Sequence, residues 1–396
     1  MMIIHRYITL IIISMLPLCS HAEEADSTGR FEFGMQYDTE LQTNFHGDCN
    51  FLNLLRLDGS VRLSENMRFN ISTLSIAHAN GNIASDLQTF SNLVTDESIP
   101  LTIAVAGIEW TLGSASKSRS TSESASKFFI GVRNTGEDYF ASDVTAFYVN
   151  SSNGIFPTIS ANYPIATYPY ASMSLHYEYD SKYWGTKATI YNGEGHYRLA
   201  GKDNVFRICP KSDGVFVMAQ GELKLRGKGE EVKGNRAEHG GVVPSPHQSS
   251  TSSIFFGGSL YKDSPTLWTY AEYNIGEWST SKSRSKSPSS LKSPSKSSLS
   301  LIAAYSHCFE KEALCRNFVG VGAKLDSPLR LSHSGESIEF GLFSDYADYS
   351  FGHEYATELS CRIPLCKHLS VKPSLHYING TTEKGLFGLV RMTMVF

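Results

Sequence analysis

Between Arg133 and Asp138 the chain sets four polar side chains of complementary type: Arg133, Asn134, Glu137 and Asp138. Arginine is a fixed fork of donors, the carboxylates only accept, and the asparagine amide does both. Such a set suits a solute rich in hydroxyl groups. It is poorly placed for acid–base catalysis, because neighbours such as Glu137 and Asp138 would face opposite ways in an extended chain. Tyr139, Asn162, Tyr163 and Tyr168 follow in the same stretch. Their ring faces and amide offer stacking surfaces and further hydrogen bonds. A second reading pairs Arg133 with Glu137 as a structural ion pair that fixes the segment; the residues alone leave both open.

Other chemistries find no support. Ser151 and Ser152 lack the Gly-x-Ser-x-Gly elbow of a hydrolase, and the Gly-rich stretches lack the Lys-Ser/Thr of a phosphate loop. Beyond residue 22 the cysteines are Cys49, Cys209, Cys308, Cys315, Cys361 and Cys366, with no C-x-x-C pair and no zinc spacing. Cys308/Cys315 and Cys361/Cys366 bracket short connections, so local disulfides stay open in an oxidising compartment. The expectation is no enzyme, no catalytic residue, no metal and no cofactor. A formal charge of −4 also suggests no nucleic-acid partner.

The elements that must carry these residues alternate with period two. Phe31, Phe33, Met35 and Tyr37 interleave with Glu32, Gly34, Gln36 and Asp38; Met173, Leu175, Tyr177 and Tyr179 with Ser174, His176, Glu178 and Asp180. Val319, Val321, Ala323 and Leu325 interleave with Gly320, Gly322, Lys324 and Asp326. An apolar file facing lipid and a charged file facing a water-filled lumen would explain this pattern. Glu32, Asp38, His176, Glu178 and Lys324 are then expected to wet the lumen. The chain closes on an alternating segment, 386–396, that ends in Phe396.

Candidate strands fall at 31–40, 51–63, 67–78, 101–112, 128–134, 173–180, 184–192 and 215–225. The others are 254–261, 267–275, 299–306, 318–325, 338–345, 354–361, 369–377 and 386–396. About sixteen strands, an even number, predict an all-β fold: a closed antiparallel transmembrane β-barrel with both termini on one side. Residues 1–22 read as a secretory signal, with an apolar core from Ile8 to Leu18 and a Ser20-His21-Ala22 cleavage site. Residues 23–396 form the barrel.

Three low-complexity inserts, 114–127, 226–253 and 281–298, interrupt the pattern. The third holds ten Ser, four Lys and one Arg without a single acid, so it cannot bury a core. Strand parity puts all three on the side of the termini, where turns are ordinarily short. The longest connection of ordinary composition is 135–171, stiffened by Pro157, Pro164 and Pro169. It would either fold inward as a constriction loop or cap the rim.

The strings Phe128-Phe129-Ile130-Gly131-Val132-Arg133-Asn134-Thr135-Gly136-Glu137-Asp138-Tyr139-Phe140 and Asn150 to Pro169 resemble the carbohydrate-selective porin family (OprB-like). So do Ala104-Val105-Ala106-Gly107-Ile108-Glu109-Trp110 and Ile190-Tyr191-Asn192-Gly193. The resemblance is strongest between about 85 and 220 and departs at the three inserts. It implies a sixteen-stranded porin of the bacterial outer membrane through which small sugars diffuse passively, with outer-membrane lipid around it. A homotrimer stays open as its assembly. The alternatives are a general or ion-conducting porin, or an adhesin anchored by its barrel.

Overall fold

In the computed structural model the described residues are 30–80, 83, 91–112, 124–142, 144–225, 252–279, 296–330, 337–381 and 383–396. The signal segment and most of the three inserts lie outside them.

Sixteen strands form one closed barrel. They are β1 (Phe31–Thr43), β2 (Cys49–Ser64), β3 (Met67–His78), β4 (Ile99–Leu112), β5 (Ala125–Arg133), β6 (Ser172–Asp180), β7 (Trp184–Asn192) and β8 (Val215–Leu225). The circuit continues through β9 (Ser252–Tyr261), β10 (Ser264–Ser279), β11 (Lys296–Cys308), β12 (Cys315–Arg330), β13 (Ser337–Tyr349), β14 (Gly352–Cys366), β15 (Leu369–Asn379) and β16 (Lys384–Val395). Every neighbouring pair is antiparallel, and β1 closes on β16 with Glu40 opposite Arg391. Closure leaves no edge strand, so every ladder group finds a partner inside the wall, as a bilayer demands.

Each expected strand has its counterpart. The inserts are shorter than their composition suggested: β5 begins at Ala125, β9 at Ser252 and β11 at Lys296, each inside a Ser-rich run. Serines at those ends join the ladder and hydrogen-bond across it, Ser253 to Glu222 at 2.8 Å and Ser298 to Asp326 at 2.5 Å. The strand ends that flank the three inserts lie on the side where β1 begins and β16 ends.

The outward file is apolar over much of the wall. Leu175, Ile190, Leu267, Leu301, Val321, Leu342 and Leu359 are all exposed. The inward file differs from the expected water-filled lumen. Near the termini it is polar, but in the opposite half it carries Leu52, Leu54, Leu74, Ile76, Phe216, Met218, Phe318, Phe343, Phe387 and Leu389, all buried. Hydrophobic clusters therefore line much of that half. They exist because the β5–β6 and β3–β4 connections enter the barrel and cover these side chains.

Local backbone geometry supports the entry point. Gly131 pairs with Gly107, has φ +148°, and a Cβ on it would lie 2.2 Å from Ala106 O. Phe129 lies over Gly107 and in turn carries the Arg133 guanidinium 4.6 Å from its ring centroid. Only glycine permits this approach.

Two outcomes follow. Val321→Arg, on the lipid face, should cost about 2–4 kcal/mol if it lies near the bilayer midplane, read as a lower denaturant midpoint in liposomes. Gly131→Ala should cost on the order of 1–3 kcal/mol through backbone strain and lower the temperature at which the fast-migrating folded gel band is lost.

Candidate functional site: the inward loop and its charged wall

The segment from Asn134 to Ala171 enters the lumen and returns to its starting point. Its neck is tied shut: the Thr135 N–H and hydroxyl both donate to Ala166 O at 2.8 Å, and Asn134 Nδ2 donates to Tyr170 O at 2.6 Å. Asn134 Oδ1 accepts from Gly136 N at 2.8 Å and starts the short turn Thr135–Glu137. The turn aims Glu137 and Asp138 in different directions.

Arg133 pairs with Asp138 and not with Glu137, its Nε lying 2.6 Å from Oδ2. Glu137 instead meets Arg56 of β2 in a two-pronged pair at 2.8 and 3.1 Å. Arg56 Nε also contacts both oxygens of Asp58, at 3.0 and 3.1 Å. Of the two readings, the Arg133–Glu137 ion pair does not form: one turn of 3₁₀ helix separates the carboxylates, Glu137 toward β2 and Asp138 toward β5. Asp138 lies 3.6 Å from His176 Nδ1, and its carbonyl accepts from Lys187 Nζ at 2.8 Å. Burial alone would raise the Asp138 carboxyl, but Arg133, His176 and Lys187 hold it below the usual carboxylate range.

The loop then crosses the lumen. Phe140 adopts φ +60° and is packed among Phe156, Trp268 and Tyr270, with centroids 4.4 to 5.8 Å away. That packing holds a backbone conformation a bulky residue seldom adopts. Tyr148 donates to Ala323 O at 2.8 Å, and a Cβ on Gly341 would collide with Phe147 at 2.3 Å. Glycine there lets the loop's aromatics lie against the wall. Glu358 of β14 accepts from two successive loop N–H groups, Val149 at 3.0 Å and Asn150 at 2.9 Å. Ser152 donates to Asp345 at 2.6 Å, and the Lys372 ammonium donates to Phe147 O.

The other expected site residues take structural positions. Tyr139 is buried, its hydroxyl 2.9 Å from Thr189 Oγ1 and 3.0 Å from Met218 O. Tyr163 is buried with its hydroxyl 3.2 Å from Ser264 O. Asn162 pairs with the backbone of Cys315, donating at 2.7 Å and accepting at 2.9 Å. Tyr168 donates to Leu93 O at 3.1 Å and packs on the Leu52–Leu74 cluster. These rings anchor the loop to the wall, so their faces are not free for a passing solute. Asp38 and His176, expected to be solvated, are buried as well. The six cysteines stand as free thiols, Cys308 and Cys315 buried.

A second inward segment and most of the charged wall escaped the reading of the sequence. Ser91 donates to Glu40 at 2.8 Å, Arg391 reaches Glu40 at 2.5 Å and Asn92 at 2.6 Å, and Asn92 N donates to Val149 O at 2.7 Å. Nearer the termini, Glu339 joins Lys324 and Arg362, both at 2.9 Å, and Arg68 meets Glu32 at 3.1 Å. A signal was present in β2, where Arg56 and Asp58 follow Leu52 and Leu54 on one face. At the loop edge Arg56, Asp58, Glu137 and Arg133 keep partial exposure.

Solved structures share this architecture. Pseudomonas putida OprB at high pH is 12% identical over 92% of this chain and 94% of that one, with a TM-score of 0.65. Its low-pH structure gives 11% identity, 92% of each chain and a TM-score of 0.53. The trimer form of OmpT, an outer membrane protein of Vibrio cholerae, gives 9% identity, 92% and 99% coverage, and 0.50. The fold is that of the outer-membrane porins. No family model and no curated protein matches the chain.

In this barrel the loop hangs on a few charged anchors. Glu358→Gln leaves one acceptor for two N–H groups and should cost about 1–3 kcal/mol locally. Faster amide exchange at Val149 and Asn150, with noisier single-channel currents, is the expected result; unchanged exchange would show that the loop is held elsewhere.

Proposed function

We propose that this protein is an outer-membrane porin that conducts small carbohydrates passively, along the wall where Arg56 and Asp58 face Glu137. It acts as a channel and performs no chemistry on its solute. The single observation that carries the reading is the pairing of charges along the inner wall. Arg56 is matched by Glu137 and Asp58, Arg133 by Asp138, Arg391 by Glu40, and Lys324 and Arg362 by Glu339.

A wall built from such pairs offers dense donors and acceptors without a field of one sign. Ion-selective pores use rings of like charge, whereas a neutral polyol needs hydroxyl partners that hold it weakly. Arg56 keeps N–H groups, and Asp58 and Glu137 keep lone pairs, for exchange with sugar hydroxyls. The loop narrows the passage, and its anchoring in a hydrophobic core keeps the opening constant. The resemblance to the carbohydrate-selective porins supports the same solute class. The trimer form recorded for OmpT of Vibrio cholerae supports assembly as a homotrimer.

Liposomes carrying the full chain should swell faster in glucose or maltose than in an amino acid of similar size. Maltose should also reduce single-channel current. Arg56→Ala removes charge-assisted hydrogen bonds of about 1.5–3 kcal/mol, so the maltose block should weaken by tenfold or more while current persists. Equal swelling in all solutes would sink the carbohydrate reading and leave the barrel untouched.

A further inference from the structure

The tyrosines of the loop are buried, but the wall itself keeps one aromatic surface in the lumen. Inward-facing rings of β8 to β12 pack against the loop in one cluster. Among the inward-facing wall aromatics whose side chains are described, Phe255 of β9 alone is not buried. Its ring lies flat on Tyr270 of β10, with centroids 4.3 Å apart and planes 10° from parallel. Tyr270 thus covers the β10 side of the ring. What stays exposed looks toward β8, where Glu222 is the cross-strand partner of Phe255.

Neighbouring contacts hold this ring in place. Trp268 leans over Gly257, where a Cβ would lie 2.5 Å from its indole carbons, and donates to Gln220 Oε1 at 3.2 Å. Two residues further along β10, Tyr270 meets Phe140 of the loop at 5.8 Å, and Glu272 accepts from Ser142 of the loop. The Phe255–Tyr270 stack therefore sits at the edge of the loop. Glu222 accepts from Ser253 at 2.8 Å and, as a carboxylate, has lone pairs for a further donor. In a circuit of sixteen strands β9 is seven steps from β2. Phe255 and the Arg56–Asp58 pair accordingly stand on almost opposite walls.

A pyranose is itself two-sided. Its hydroxyls radiate from the rim, whereas its faces carry C–H groups that pack on an aromatic ring. We propose that Phe255 is a specificity-determining residue of the channel, stacking on the face of a ring sugar while a sugar hydroxyl donates to Glu222. An acyclic polyol offers the same hydroxyls to Arg56, Asp58 and Glu137 but has no face for the phenyl ring. Phe255 thereby separates ring sugars from open-chain polyols, a distinction the charged wall cannot make. One exposed ring holds the sugar weakly enough for release, as conduction requires. The inference rests on the reading of the protein as a carbohydrate channel.

The test compares swelling of liposomes carrying the full chain in glucose and in sorbitol, solutes of nearly equal size. The parent should admit glucose faster by about threefold, the scale of one aromatic contact. Phe255→Leu, which keeps an apolar side chain against Tyr270, and Phe255→Ala should each bring the ratio to about one. Phe255→Trp should keep or raise it. Heat-modifiable gel mobility confirms that each variant is folded, and Phe255→Leu decides where Phe255→Ala does not fold. A ratio unchanged in the folded variants would overturn the proposal even if both rates shift, because a residue that only packs the wall alters the passage for both solutes alike. Equal rates of glucose and sorbitol through the parent would overturn it too. An amino acid of similar size, run alongside, keeps the two readings apart. A parent that favours glucose and sorbitol equally over the amino acid retains the transport reading and loses the role of Phe255, whereas equal rates in all three would remove the transport reading itself.

Discussion

Closure of the sheet is the constraint on which the rest of the structure depends. Once β1 pairs with β16, the barrel wall has satisfied its own backbone groups, and a chain entering the lumen finds no free edge to join. Anything inside must be held by side chains. The β5–β6 loop shows the consequence. Its N–H groups at Val149 and Asn150 go to the Glu358 carboxylate, its Phe147 carbonyl to the Lys372 ammonium, and its aromatic side chains to inward-facing rings of the wall. Charged side chains on the strands serve the loop as a sheet edge would serve another strand.

This arrangement divides the lumen in two. Opposite the termini, leucine and aromatic side chains of the wall are buried by the loop and by the segment around Leu93. Burial of that apolar surface stabilises the loop's path in the manner of a soluble core. Toward the termini the wall remains charged, and the charges occur in pairs. The boundary between the halves is where Arg56, Asp58 and Glu137 stand. A loop resting on a packed core cannot drift away from that boundary, so the donors and acceptors there keep fixed spacing. The same principle explains why tyrosines that look well suited to stacking sugars are buried: Tyr139 and Tyr163 are needed as amphipathic anchors, with their rings in the core and their hydroxyls on backbone carbonyls.

Much of this was legible in the residues. Period-two alternation located every strand of the barrel, because each spans two chemically opposite surroundings and the side chains must sort between them. Strand boundaries were less clear at the Ser-rich inserts. Serine is at home both in a solvated spacer and in a polar ladder, and Ser253 and Ser298 fall on the ladder side. The inward course of the long loop was one of two readings left open. An Arg133–Glu137 ion pair was likewise one of two readings, and it does not form, since a single tight turn sends Glu137 to Arg56 and leaves Asp138 to Arg133. The segment at Ser91–Leu93 carried no signal of its own.

By itself, then, the sequence determined the repeated strand, the even count that joins the ends of the sheet, and the outward apolar file, since all three follow from local alternation in a chain that must satisfy its backbone in lipid. The tertiary structure alone decided which charges meet and which rings are buried. Arg56 and Glu137 are 81 positions apart, and Glu40 and Arg391 are 351 apart. Such contacts arise only when strands from distant parts of the chain are brought around one lumen and a loop is laid across it. Pairing over those distances depends on the curvature and register of the whole wall, which no window of residues contains.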